Sequence, residues 1–93
     1  MITGLLSLEL FLPNALSLKA KRSALRPFLE TVRRKWNVSA SETGRHDSWQ
    51  RAQVGIAAVS GEEASVRRIL DEVLRHASDQ YEIEVLESGV EIL

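Results

Sequence analysis

An α+β fold is what this sequence predicts: a four-stranded antiparallel sheet with two helices on one face. Three observations predict it. Ile2–Leu12 alternates apolar and mixed positions with period two, and two later stretches carry apolar residues at helical spacing. Between and after those helices lie further alternating runs, so the element order reads βαββαβ.

The first strand places Leu6, Leu8, Leu10 and Leu12 on one face and Leu5, Ser7, Glu9 and Phe11 on the other. One face is buried and the other mixed. Pro13-Asn14 ends it. Leu18, Leu25, Phe28, Leu29, Val32 and Trp36 then recur at helical spacing. They cover an arc of roughly 100° on a helical wheel. Lys19, Arg22, Arg26 and Arg33 form a basic stripe beside that arc, with Glu30 placed to pair at i±4 with Arg26 and Arg34. Lys21 points into the apolar arc, and Pro27 removes the N–H that would bond the Ser23 carbonyl. Either the helix begins near Leu18 and bends around Ser23–Pro27, or it begins at Ser23. The bent helix is preferred, because Ser17 is a credible N-cap and Leu18 keeps the periodicity.

Asn37–Thr43 reads as a polar edge strand, Gly44–Ser48 as a turn, and Trp49–Ser60 as a strand with Ala52, Val54, Ile56 and Ala58 inward. Ser60-Gly61-Glu62-Glu63 has the spacing of a capping box, with Ser60 as N-cap. Val66, Ile69, Leu70, Val73, Leu74 and Ala77 make the inner stripe of the second helix, and His76 is expected at the surface near its C-terminus. Tyr81–Leu86 alternates again, and Val90 and Ile92 read as a short extension of it. Two pseudo-symmetric halves of this kind make a ferredoxin-like βαββαβ sandwich, 1–93 as a single domain. Right-handed crossovers give strand order 4-1-3-2.

The chain has 93 residues, 44% hydrophobic, enough to bury roughly 60–65% of its unfolded surface. It contains no cysteine, which excludes disulfides, thiolate chemistry and cysteine-ligated metals and suits a cytoplasmic location. The apolar run Leu5–Leu12 is too short to span a bilayer and carries Glu9, so no membrane segment is expected. Charge is unevenly placed. Residues 1–53 hold nine Lys/Arg and four Asp/Glu, whereas residues 54–93 hold three and nine. That polarity suits a polyanion partner, or two protomers meeting head to tail.

Ser17-Leu18-Lys19-Ala20-Lys21-Arg22, Trp36-Asn37-Val38-Ser39 and Trp49-Gln50-Arg51-Ala52, together with the opening strand, resemble the YlxP-like family of small bacterial proteins of unknown function. The resemblance covers nearly the whole chain and implies a ferredoxin-like fold. Genes of that family often lie beside translation-initiation and ribosome-maturation genes, which implies a role linked to RNA or the ribosome. It supplies no catalytic residue, and Pro27 is atypical of the family's first helix.

The basic group Lys19, Lys21, Arg22, Arg26, Arg33 and Arg34 is the main candidate for nucleic-acid contact. Cations in the opening turns oppose the helix dipole, yet they suit phosphate. Arg45, Trp49 and Arg51 form a second candidate, with Trp49 as a stacking group or as a lid on the core. His46-Asp47-Ser48 contains the residue types of a catalytic triad, but sequence neighbours do not converge as one. The two histidines lie far apart, and no cofactor or metal is expected. The outward sheet positions lack the aromatics of an RNA-recognition motif, and Pro13-Asn14-Ala15-Leu16 is not the glycine-rich anion loop of an acylphosphatase. The expected function is a non-enzymatic module contacting RNA or the ribosome. The alternative is a protein-interaction module or homodimer using Leu5, Phe11, Val59 and Leu86.

Overall fold

In the computed structural model, which describes all 93 residues, the elements are β1 (Ile2–Phe11), α1 (Leu18–Lys35), β2 (Ser39–Gly44), β3 (Arg51–Ser60), α2 (Glu63–Ser78) and β4 (Glu84–Ile92). The strands form one antiparallel sheet in the order β2-β3-β1-β4, the topology expected of a ferredoxin-like sandwich. Both central strands bury the expected face. Leu6, Leu8 and Leu10 of β1 lie beside Ala52, Val54, Ile56 and Ala58 of β3. Leu25, Phe28, Leu29 and Val32 of α1 and Val66, Leu70, Val73 and Ala77 of α2 close the core from one side.

Gly4 permits the close approach of α2. A Cβ there would collide with Val66 and lie 3.0 Å from Leu70 Cδ1. α1 starts at Leu18, where the Ser17 hydroxyl accepts a hydrogen bond from the Ala20 N–H at 3.0 Å. Pro27 lies inside the helix on its exposed side, as does Ser23, whose carbonyl can be satisfied by water.

The expected capping box is not formed. β3 runs through Ser60, which pairs with Ile2, so α2 starts later, with Glu62 as its N-cap residue and no side-chain cap. The Ser60 hydroxyl instead accepts from the Glu62 N–H at 3.3 Å. β4 is one strand rather than a short strand with an extension. Glu87 pairs with Glu9 and Val85 with Leu10, so Leu86 is an extra residue between them, a β-bulge.

Candidate nucleic-acid interface

The ion pairs divide the cations in two. On α2, each arginine pairs with an acid one turn away: Arg67 with Glu63 (2.9 Å), Arg68 with Glu72 (3.0 Å) and Arg75 with Asp71 (3.0 Å). Lys21, Arg45 and Arg51 are also paired. The remaining six of the 12 Lys/Arg make no ion pair: Lys19, Arg22, Arg26, Arg33, Arg34 and Lys35. All six lie on α1. Glu30 pairs with neither Arg26 nor Arg34, although the helical spacing allows it.

At about 100° per residue, Arg22, Arg33, Arg26, Lys19 and Arg34 fall within about 120° on one flank of α1. That flank faces the free edge of β2. Arg22, Arg26, Arg33 and Glu30 line a shallow groove of about 340 Å³ there, with Leu25 and Leu29 in its floor and Glu42 opposite. Arg33 is not free within it. Its guanidinium donates to the Ala40 carbonyl from Nε (2.9 Å) and from a terminal nitrogen (2.6 Å), which caps part of the edge strand. Lys35 stands 4.9 Å from the Trp36 ring centre. Lys19, Arg22, Arg26 and Arg34 therefore stand as exposed cations without a side-chain partner.

Lys21 is removed from the expected surface group. Its side chain is 1% exposed, and its ammonium donates to the carbonyls of Arg45 (2.9 Å) and Arg51 (3.2 Å). Glu42 Oε2, which has no other partner, lies 2.9 Å away and supplies the counter-charge. A cation held this way cannot meet an external phosphate. The sequence placed Lys21 inward, but its carbonyl partners lie 24 and 30 residues along the chain, at the two ends of the β2–β3 loop.

Arg45 and Arg51 are the two flanks of the β2–β3 loop. Lys21 grips their carbonyls from the helical side, and Glu9 grips their guanidinium groups from the open sheet face. Burial raises the Glu9 pKa, but the hydrogen bond from Arg51 (2.7 Å), the Arg45 charge and the Gln53 side chain outweigh it and hold the carboxyl below its usual range. Glu9 was readable only as one solvated position on an alternating strand. Its role depends on the register that sets it opposite Gln53 and next to Arg51. Arg45 and Arg51 are thus clamps rather than free phosphate contacts. Trp49, between them in sequence, is 54% exposed.

The chain's family follows from comparison with known proteins. A model described as "Protein of unknown function (DUF503)" matches residues 3–90. This chain belongs to the DUF503 family. A relative in Bacillus subtilis (strain 168), "Uncharacterized protein YlxP", is 42% identical over 81 residues, covering 87% of this chain and 88% of that protein. The solution NMR structure of a de novo designed protein with a ferredoxin fold overlays 100% of this chain and 84% of its own, with TM-score 0.58 at 10% identity. That likeness concerns the fold alone. Neither the family description nor the relative's name states an activity.

Other features of this DUF503 chain are structural. His76 is not a plain surface residue: its ring stacks on Phe28 (5.8 Å, 9° between planes) and meets Trp36 edge-on at 5.3 Å. Burial is the main cause of its lowered pKa, with the Lys35 charge adding to it and Asp79 opposing. The Trp36 indole donates to Glu72 at 3.2 Å, the main cause of a lowered Glu72 pKa. No group of three or more His, Asp or Glu side chains converges as metal ligands, and no helix is long and apolar enough to cross a membrane.

Proposed function

We propose that this DUF503 chain is a non-enzymatic cytoplasmic module that binds RNA, ribosomal RNA included, through the flank of α1 that faces β2. The observation carrying this reading is the segregation of charge: every cation without an ion pair is on α1, while the arginines elsewhere are neutralised by neighbours. Unpaired cations repel one another along a helix, and an anionic backbone relieves that repulsion while releasing counterions. Lys19 to Arg34 spans about 22 Å of helix axis, a reach suited to successive phosphates rather than to one small anion. The open sheet face supports base recognition poorly. Its central row is Ser41, Gly55, Ser7 and Gly89, and Glu87 and Glu91 line its β4 side. Phosphate binding of this kind gives affinity with little sequence preference.

The test is the salt dependence of binding to a single-stranded oligoribonucleotide. Arg22→Gln with Arg26→Gln should weaken binding and reduce the slope of log affinity against log salt by about 1.4, near 0.7 for each phosphate that is no longer neutralised. Folding stability should change little, because neither side chain has an ion-pair partner. Absence of binding by the unaltered protein at low salt, or an unchanged slope in the double variant, would sink the reading.

A second reading, a homodimer, has an observation of its own. The β4 edge is unpaired and exposes Leu86 (45%) and Val90 (48%). The Leu86 bulge and the glutamates of β4 work against such pairing. Sedimentation at high micromolar concentration should show a dimer if this reading holds, and a Val90→Lys variant should then be monomeric. A monomeric unaltered protein refutes it.

A further inference from the structure

We propose that Trp49 is a stacking platform for one unpaired base of a single-stranded RNA whose phosphates continue onto Lys19 and Arg22. This rests on the RNA-binding reading of α1 and names the class of RNA it takes.

Three observations carry it. First, Trp49 does not close the core. Its side chain is 54% exposed and borders an open depression of about 570 Å³ with Phe11, Asp47, Ser48, Gln50 and Arg51. Second, the loop that presents it is held rigidly. Lys21 takes the carbonyls of Arg45 and Arg51, and Glu9 takes their guanidinium groups. The Ser48 N–H donates to the Arg45 carbonyl at 3.0 Å and the Ser48 hydroxyl accepts from the Arg51 N–H at 3.1 Å. The Gln50 side chain donates to the Pro13 carbonyl at 3.0 Å, tying the loop to the β1–α1 connection. An exposed aromatic on a loop fixed in advance loses little conformational entropy when something stacks on it.

Third, the loop lies at the end of the molecule where the free cations begin. Lys21 is in the first turns of α1 and touches both loop flanks, so the loop lies at the same end of the molecule as the opening turns that carry Lys19 and Arg22. An exposed indole at the end of the molecule where the unpaired cations begin complements what a single strand presents there, a π-face and a run of phosphates. Along its length a duplex presents no free base face, so the indole adds little to duplex binding beyond the two terminal pairs. Asp47 lines the depression, Glu9 is bonded to Arg51 at its border and Glu84 pairs with Phe11, and these carboxylates disfavour a phosphate there. The phosphates accordingly lie on the α1 side of the indole.

The experiment measures affinity, by anisotropy of labelled RNA at low salt, for a short oligouridylate and for a blunt RNA duplex. Trp49→Ala should weaken oligouridylate binding roughly 5- to 100-fold, leave the salt slope unchanged and leave duplex binding nearly unchanged. Trp49→Phe, which keeps an aromatic face, should recover most of the affinity. Oligouridylate binding by Trp49→Ala equal to that of the unaltered protein overturns the stacking proposal while the α1 reading stands. An equal weakening on duplex and single strand also overturns it. Failure of the unaltered protein to bind either RNA removes both readings.

Discussion

Lys21→Met is expected to cost about 3–5 kcal/mol of folding stability, the usual consequence of removing one partner from a buried ion pair. The side chain is 1% exposed, so little of that stability can be recovered by hydration from outside. Methionine fills most of the volume but donates nothing. It leaves the Glu42 carboxylate without a counter-charge and the carbonyls of Arg45 and Arg51 without their donor. For a chain of this length, thermal unfolding should move down by more than about 10 °C. Lys21→Met combined with Glu42→Leu should recover part of the stability, because no charge is then stranded. A single variant that unfolds with the unaltered protein's urea midpoint would show that the ammonium is dispensable. The loop carrying Trp49 should loosen as well, visible as faster amide exchange over residues 45–50.

Phe28→Ala is expected to cost a similar amount, about 3–5 kcal/mol, for an aromatic side chain removed from a closed core. Its second effect is on pH. His76 has a native pKa below its ordinary 6.5, chiefly through burial, and its ring is stacked on Phe28 with Trp36 at its edge. The sign follows from linkage. The unfolded chain binds the proton first, so this group's contribution to stability is fully present above pH 6.5 and is lost as pH falls through the lower native value. Opening the Phe28 side of the ring lets water reach His76, so the variant should lose less stability than the unaltered protein on acidification through that range. Urea midpoints measured on both sides of pH 6.5 check this. Parallel decreases in the two proteins would mean that Phe28 does not set the histidine's environment.

Much of the architecture was legible because it depends on local periodicity. β1 alternates without interruption and buries the face its leucines indicate. The apolar stripes of α1 and α2 likewise meet the core as spaced. β4 was harder for a definite reason. Ile83 and Val85 lie on odd positions and Val90 and Ile92 on even ones, so the alternation changes phase partway. The bulge at Leu86 absorbs the one-residue shift and brings Val85 against Leu10 and Val90 against Leu6, on the same side of the sheet. A bulge is a property of two paired strands, and alternation in one of them does not announce it.

The candidate interface divides along the same line. The basic stripe, its place beside the apolar arc and the inward direction of Lys21 are consequences of helical spacing, and the sequence by itself determined them. Which cations remain free was decided only by the tertiary structure. It took Lys21 into the β2–β3 loop, Arg33 onto the Ala40 carbonyl, and Arg45 and Arg51 onto Glu9. Each of those interactions joins residues that are distant in sequence or on different elements. A charge is neutralised by what lies within a few ångströms of it, and only folding sets those distances.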